Sequence, residues 1–492
     1  MLVAGIDSST QSTKVVLCDA DDGTVVGTGS APHPPGTEVD PQAWWDALQR
    51  AGDRLLDRAA AVAIAGQQHG SVVLDSEGQV IRPALLWNDM RSAAAAADLV
   101  TELGGPRWWA EVTGSVPTAS FTVTKLRWLA EHEPENAAHV ARVLLPHDWL
   151  TWKLMTSGGH GDPPGHPGPH GPETPRSGTT EPVTDRGDAS GTGYFATATG
   201  KWLPEVAAAA LGHEPALPRV AAPGEAVGQA PGGALLGPGT GDNMAAALGL
   251  GLEPGEVAVS IGTSGTAFAV TAVPAADPSG AVAGFADATG AFLPLVCTVN
   301  AGLVLTAAAA MTGTDLAGMA ARALVAEPGA SGVTLLPFFD GERTPNLPLA
   351  TGVMSGLTTA NGTAENLARA AIEGVLCSLA EAVGRLGGEQ RRVLLIGGGA
   401  RSPAVCALAP GIFGADVEVP APEEYVALGA ARQAAWALAG TLRPPAWPRP
   451  LSRRYSGAPQ PQVRDRYAAL RAGTSSWAGG VPPPDQRGEP GL

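Results

Sequence analysis

Acidic side chains stand beside glycine-rich or hydroxyl-rich turns at several points in this chain, and that pairing is suited to phosphate chemistry. Asp7 closes the apolar run Val3-Ala4-Gly5-Ile6 and opens the turn Ser8-Ser9-Thr10-Gln11-Ser12-Thr13-Lys14. A carboxylate there can hold Mg²⁺ against nucleotide phosphates, directly or through water, or it can cap the turn by accepting backbone N–H groups. Lys14 closes the turn, either as a phosphate contact or as a solvated surface lysine. A second apolar run, 257–261, leads into Gly262-Thr263-Ser264-Gly265-Thr266 and then Phe268-Ala269-Val270. Strand, tight polar turn and strand therefore occur twice. Such turns offer backbone N–H groups and hydroxyls to phosphate oxygens, and glycine lets the backbone come close. Two of them suggest two related domains gripping one polyphosphate.

Asp242 follows the glycine-rich segment 237–241 and opens a helix running to about 250. Aspartate is a preferred N-cap, and a helix N-terminus favours its ionised form. An unprotonated carboxylate of lowered basicity is expected, one that orients a hydroxyl more than it strips it. That suits a loose phosphoryl transition state. Gln67-Gln68-His69 ends the apolar strand 62–65. Amide and imidazole side chains at a strand's C-terminal end suit hydroxyl recognition, because each offers donor and acceptor. The alternative for His69 is a satisfied structural histidine. Gly397-Gly398-Gly399-Ala400-Arg401-Ser402 follows the strand 393–396 and, with Glu418 beyond it, imitates a dinucleotide fingerprint. Ser402 replaces the last glycine and few strands remain after 440, so a nucleotide base or ribose packed on this turn fits better. No Walker A loop is present, because Gly200-Lys201 precedes Trp202.

The elements that must position these residues alternate between strand and helix, which points to an α/β protein. Strands are expected at 2–6, 15–17, 25–28, 62–65, 71–74, 80–81, 393–396 and 417–419. Helices are expected at 91–103, 122–131, 244–250, 365–386 and 423–438. The chain has 492 residues, 44% of them hydrophobic, enough for two or three domains with large cores. Glu253-Pro254-Gly255 reads as a junction, giving a domain over 1–252, another over 253–440 and a peripheral tail over 441–492. The Pro/Gly-rich stretch 157–188 reads as a mobile insertion, and its His160, His166 and His170 lack a spacing that would fix a metal geometry. A formal net charge of −16 makes nucleic acid and anionic membranes poor partners. Cys18, Cys297, Cys377 and Cys406 are scattered and read as reduced thiols. With neither a signal-peptide pattern nor a long apolar run, a cytoplasmic location is expected.

Taken in order, the motifs resemble the FGGY family of carbohydrate kinases. They are Gly5-Ile6-Asp7 with its turn; Ile64-Ala65-Gly66-Gln67-Gln68-His69-Gly70; Leu86-Trp87-Asn88-Asp89-Met90-Arg91; Gly241-Asp242-Asn243; Ser260-Ile261-Gly262-Thr263-Ser264-Gly265; Gly341-Glu342-Arg343-Thr344-Pro345; and Ile396-Gly397-Gly398-Gly399-Ala400-Arg401-Ser402. The resemblance implies two actin-like, ribonuclease H-like domains, each a mixed sheet flanked by helices, with a catalytic cleft between them. It implies ATP-dependent phosphorylation of D-xylulose at the 5-hydroxyl, with Mg²⁺. By motif, Asp242 is the catalytic base, and Gln68, His69, Asp242 and Asn243 contact the sugar. Asp7 positions the metal. Thr10, Ser12, Lys14, Gly262 and Thr263 lie near the phosphates, and Gly398 and Gly399 near the adenosine. Ser9 and Gln68 depart from the family's usual glycine and methionine. Ribulose-, gluconate- and glycerol-type kinases remain as alternatives, as do a non-catalytic actin-like sensor and a homodimeric state.

Overall fold

The computed structural model describes residues 1–157, 181–388, 391–449 and 451–474. They form two compact units built from separated stretches of chain. One contains 1–252, 271–293 and 423–449; the other contains 253–270, 294–422 and the described residues after 450. The contiguous second domain expected from sequence therefore gives up 271–293 and 423–440 to the first unit.

The first unit is built on a seven-stranded sheet. Its central strand, Leu2–Ser8, runs antiparallel to Ser12–Asp19, which pairs antiparallel with Val25–Pro32. On the other side Leu2–Ser8 runs parallel to Ala61–Gly66, followed by Leu235–Leu236 in parallel and Gly228–Gln229 antiparallel. The central strands read as unbroken apolar runs because both faces are covered. Trp44, Ala47 and Leu48 of the helix Pro41–Gly52 pack with Val15 and Leu17 on one face. Ala427, Ala431 and Ala434 of the helix Tyr425–Ala439 pack with Val3, Val16 and Ala63 on the other.

The second unit repeats this order of pairings. Glu256–Ile261 is antiparallel to Gly265–Ala269, which pairs antiparallel with Phe292–Thr298. On its other side Glu256–Ile261 runs parallel to Arg392–Ile396, which pairs in parallel with Val417–Pro420, followed by Ser452–Tyr455, antiparallel. The twice-occurring strand–turn–strand is thus the central hairpin of two sheets of one design.

Register decides what this brings together. In the first unit Ser8 lies beside Gly66, and Gly241 lies beside Gly66 through the short strand Thr240–Gly241. Parallel strands end at one edge, so the turns carrying Asp7, Gln67-Gln68-His69 and Asp242 emerge together. In the second unit Ser260 lies beside Ile396, which places the turns after Ile261 and Ile396 side by side.

The helix that begins at Asp242 is seated by close backbone contact. A Cβ on Gly429 would lie 1.8 Å from the Ala245 carbonyl oxygen of the helix Asp242–Leu250. Alanine at a helical glycine normally gains about 0.8–1 kcal/mol. Here the overlap is with backbone and cannot be relieved by a rotamer change, so overpacking of about 1–3 kcal/mol outweighs that gain. Gly429→Ala is expected to lower the urea midpoint, and a raised midpoint would show that the helices can move apart.

Two sequence expectations are corrected here. Residues 158–180 of the expected insertion, with all three of its histidines, lie outside the described residues. Residues 182–188, however, are ordered core: Val183–Thr184 pairs with Arg219–Val220, and Thr184, Asp185 and Asp188 are buried. The tail also packs, since Ser452–Tyr455 joins the second sheet and Pro461–Thr474 is a helix that buries Val463 and Tyr467. Composition concealed both, because proline and glycine flank them. Among the described residues no single helix is long and apolar enough to cross a membrane.

Candidate active site

Asp7 is buried at the end of the central strand of the first unit. Ser9 Oγ donates to its Oδ1. Burial pushes its carboxyl up to about 6, against the Ser9 hydrogen bond and the Lys14 charge, which pull it down. Lys14 lies opposite Asp7 in the hairpin, and its Nζ pairs with Glu424 at 2.6 Å. Glu424 precedes the helix Tyr425–Ala439, a position far from Lys14 in sequence. Thr10 Oγ1 accepts from Trp87 Nε1 (2.8 Å) and donates to Gln67 Oε1 (3.4 Å), which ties the polar turn to the next strand end. Ser12 opens the second strand and is partly buried.

Asp242 is the first residue of its helix, and Gly241 occupies the N-cap. The expected low basicity is overturned as well. Burial first, then the charges of Asp7 and Asp188, push the Asp242 carboxyl up to about 7, against the backbone N–H of Asn243 that favours the ionised form. The helix terminus loses because desolvation, reinforced by the charges of Asp7 and Asp188, outweighs a dipole effect of about 0.3–1 kcal/mol. Asp242 Oδ1 accepts from the backbone N–H of Asn243 (2.8 Å) and from its Nδ2 (2.9 Å). The same Nδ2 donates to Gln68 Oε1 (3.2 Å). Asn243 thus links the acid to Gln68, whose buried Nε2 has no hydrogen-bond partner among the described residues. A buried amide N–H₂ without a partner is costly unless a ligand completes it.

His69 adopts a left-handed backbone, φ 69°, rare for a residue with a side chain and typical of functional turns. Its Nδ1 donates to the Gly191 carbonyl (2.6 Å), which makes Nε2 an acceptor in the neutral ring. The Phe121 ring packs against it at a tilt of 35°, with centroids 4.8 Å apart. The buried Lys125 donates to the carbonyls of Ala119 (3.1 Å) and Ser120, fixing the turn that carries Phe121. The structure thus gathers Asp7, Thr10, Gln68, His69, Asp242 and Asn243 at one sheet edge.

In the second unit, Gly262 and Thr263 form the hairpin turn, and their carbonyls accept the N–H groups of Gly302 (2.9 Å) and Leu303 (3.3 Å) at the start of the helix Gly302–Met311. A Cβ on Gly399 would lie 2.2 Å from Ile261 Cγ2, so the glycine turn packs directly on the hairpin. Gly398 faces open space, and Thr263 is exposed. The dinucleotide imitation falls away, because Glu418 is paired to Arg392, which also holds Glu256 at 2.7 Å. Glu342 is buried in loop architecture, accepting from Val299 N (2.7 Å) and Asn300 Nδ2 (3.0 Å).

Sequence reasoning missed a buried ionic cluster under Asp242. His147 Nδ1 donates to Asp188 Oδ2 (2.6 Å), and Nε2 lies 3.2 Å from Asp148 Oδ1. Burial opposes the charged ring, but Asp148 and Asp188 hold its pKa up to about 9. Burying such ions costs several kcal/mol per charge before pairing. Asp185 and Asp188 fell inside the stretch read as insertion; the spacing Asp185-x-x-Asp188 before Ala189, a helix-cap pattern, was the available signal.

A duplicated mixed sheet with acids and hydroxyls at its strand ends is the architecture of an actin-like, ribonuclease H-like carbohydrate kinase. The chain belongs to the FGGY family of carbohydrate kinases: residues 2–249 match its N-terminal domain and 257–438 its C-terminal domain. It is 48% identical to the xylulose kinase of Streptomyces coelicolor, covering 89% of this chain and 88% of that one. Identity to the xylulose kinase of Escherichia coli is 35%, over 81% and 82% of the two chains. The crystal structure of xylulose kinase from Bifidobacterium adolescentis superposes with a TM-score of 0.87 at 45% identity, covering 96% of this chain and 99% of that one.

Proposed function

We propose that this carbohydrate kinase transfers the γ-phosphoryl group of ATP to the 5-hydroxyl of D-xylulose. The observation that carries the reading is the Asn243 carboxamide joined to both Asp242 and Gln68, beside the strained His69. A carboxyl poised near neutrality thus stands next to amide and imidazole groups suited to sugar hydroxyls. The relatives named xylulose kinase support the choice of sugar.

In this reading Asp242 accepts the hydroxyl proton as the phosphoryl group transfers. Gln68, His69 and Asn243 fix the sugar so that the reacting oxygen faces Asp242. By motif, Thr10, Ser12, Lys14, Gly262 and Thr263 are assigned to the phosphates, and Gly398 and Gly399 to the adenosine. The raised carboxyls of Asp7 and Asp242 repel each other, and a divalent cation would lower both. Among the described residues no group of three or more His, Cys, Asp or Glu could hold a metal alone. That donor set fits Mg²⁺, which binds through one or two carboxylates plus substrate phosphates. When bound, Mg²⁺ neutralises charge on the transferring phosphates; Asp7 would hold it.

A coupled ADP-release assay over D-xylulose, D-ribulose, D-gluconate and glycerol tests the assignment. D-xylulose is expected to give the largest kcat/KM, by about 5- to 150-fold per unmatched buried hydrogen bond. A better substrate among the other three would move the assignment to that sugar, and no sugar-dependent ADP release at all would leave a binding protein.

A further inference from the structure

The segment 185–191 touches both ends of the proposed site through hydrogen bonds that its neighbours leave little room to change. Asp185 is buried and accepts the hydroxyl of the buried Thr240 at 2.7 Å, two residues before Asp242. It also accepts the N–H groups of Gly187 (2.9 Å) and Asp188 (2.8 Å), starting the short helix Arg186–Ala189. A few residues on, the Gly191 carbonyl accepts His69 Nδ1 at 2.6 Å. From the other side His147 grips Asp188 at 2.6 Å. Its ring lies under the turn before Asp242, where a Cβ on Gly239 would come within 2.4 Å of Cδ2. Gly241, in register with Gly66, closes the third side.

We propose that the buried Thr240–Asp185 bond and the His147–Asp188 pair form a positioning device that locks Asp242 and His69 to one short segment, so that base and sugar-binding ring hold one geometry. The inference rests on Asp242 being the general base and deepens that reading. Stability alone is a poor reason for such a cluster. Well-packed apolar side chains of similar volume are often as stable as a buried ion pair, and Asp188 Oδ1 has no hydrogen-bond partner among the described residues. The coupling of Asp188 to Asp242 supports a functional link. Thr240, Asp185, Asp188 and His147 act through Asp242 and His69 and are positioning residues.

The test uses the full chain with ATP, Mg²⁺ and D-xylulose. Thr240→Val keeps the shape and removes the hydroxyl; Thr240→Ser keeps the hydroxyl and removes a methyl. Misplacing a catalytic group by about 1 Å costs up to about 100-fold, so Thr240→Val is expected to lower kcat about 10- to 100-fold while the KM for ATP stays within about twofold. Thr240→Ser is expected to retain most of kcat. Full kcat in Thr240→Val, or equal loss in both variants, overturns the proposal, since equal loss is what a packing role predicts. Should Thr240→Val not fold, Asp188→Asn takes its place, with kcat expected to fall at unchanged KM for ATP; unchanged kcat counts against the device. Asp242→Asn separates the two readings. Its full activity sinks the base assignment and the device together, whereas an inactive Asp242→Asn beside a fully active Thr240→Val sinks the device alone.

Discussion

Asp242→Ala is expected to release ADP from ATP and D-xylulose about 10²–10⁴ times more slowly than the parent chain, the range a general base contributes. The loss should fall on kcat. Sugar affinity should change little, because Gln68, His69 and Asn243 remain; the Asn243 amide still has Gln68 Oε1 as an acceptor. The pH dependence follows from the environment of the carboxyl. Burial and the charges of Asp7 and Asp188 raise it to about 7, so the free enzyme carries a protonated, inactive Asp242 below that pH. The kcat/KM should rise with pH through about 7 and level off above it, and a bound divalent cation should move the limb to lower pH by favouring the carboxylate. Stopped-time assays from pH 5.5 to 8.5 would show this. Turnover of Asp242→Ala within tenfold of the parent would remove the base from the mechanism.

Asp7→Ala is expected to have opposite effects on activity and stability. The residue is buried, with a carboxyl held near 6. Compared with an ordinary aspartate, which titrates at about 4, ionising it in the folded state costs on the order of 2–3 kcal/mol. The sign is that of a raised carboxyl: its own contribution to stability is fully present below the ordinary aspartate value and is lost as pH rises through the folded value of about 6. At pH 8 without Mg²⁺, removal of the carboxylate should therefore leave the urea midpoint unchanged or higher. Activity should fall by about 10²–10⁴-fold if Asp7 holds the metal as proposed, because losing that charge forfeits several kcal/mol at the transition state. Measuring both in one preparation is decisive. Loss of activity together with a lowered midpoint would mean that Asp7 caps the turn through backbone N–H groups and serves structure first.

The repeated sheet explains why two turns in equivalent places carry different residues. After the parallel neighbour of the central strand, the first unit presents Gln67-Gln68-His69 and the second Gly397-Gly398-Gly399. One position presents amide and imidazole side chains; the other is stripped to backbone, with Gly398 facing open space. A single architecture thus presents two chemically different turns without changing its strand order.

The strands, the helices and the two polar turns were legible because they depend on neighbours in sequence. Apolar runs such as 62–65 must be buried on both faces, and Asp7 and Asp242 are marked by the turns they adjoin. The sequence order of motifs also sufficed to name the family. Tertiary structure alone decided the protonation of Asp242, since its shift arises first from burial and then from the charges of Asp7 and Asp188, far off along the chain and close in space. It also decided the partner of Lys14, which is Glu424, and the burial of Asp185 and Asp188, whose glycine and proline neighbours read as loop. The physical reason is one of range. Hydrophobic period and turn chemistry act over a few residues and are written locally, whereas burial and Coulomb coupling depend on which strand ends the register places side by side.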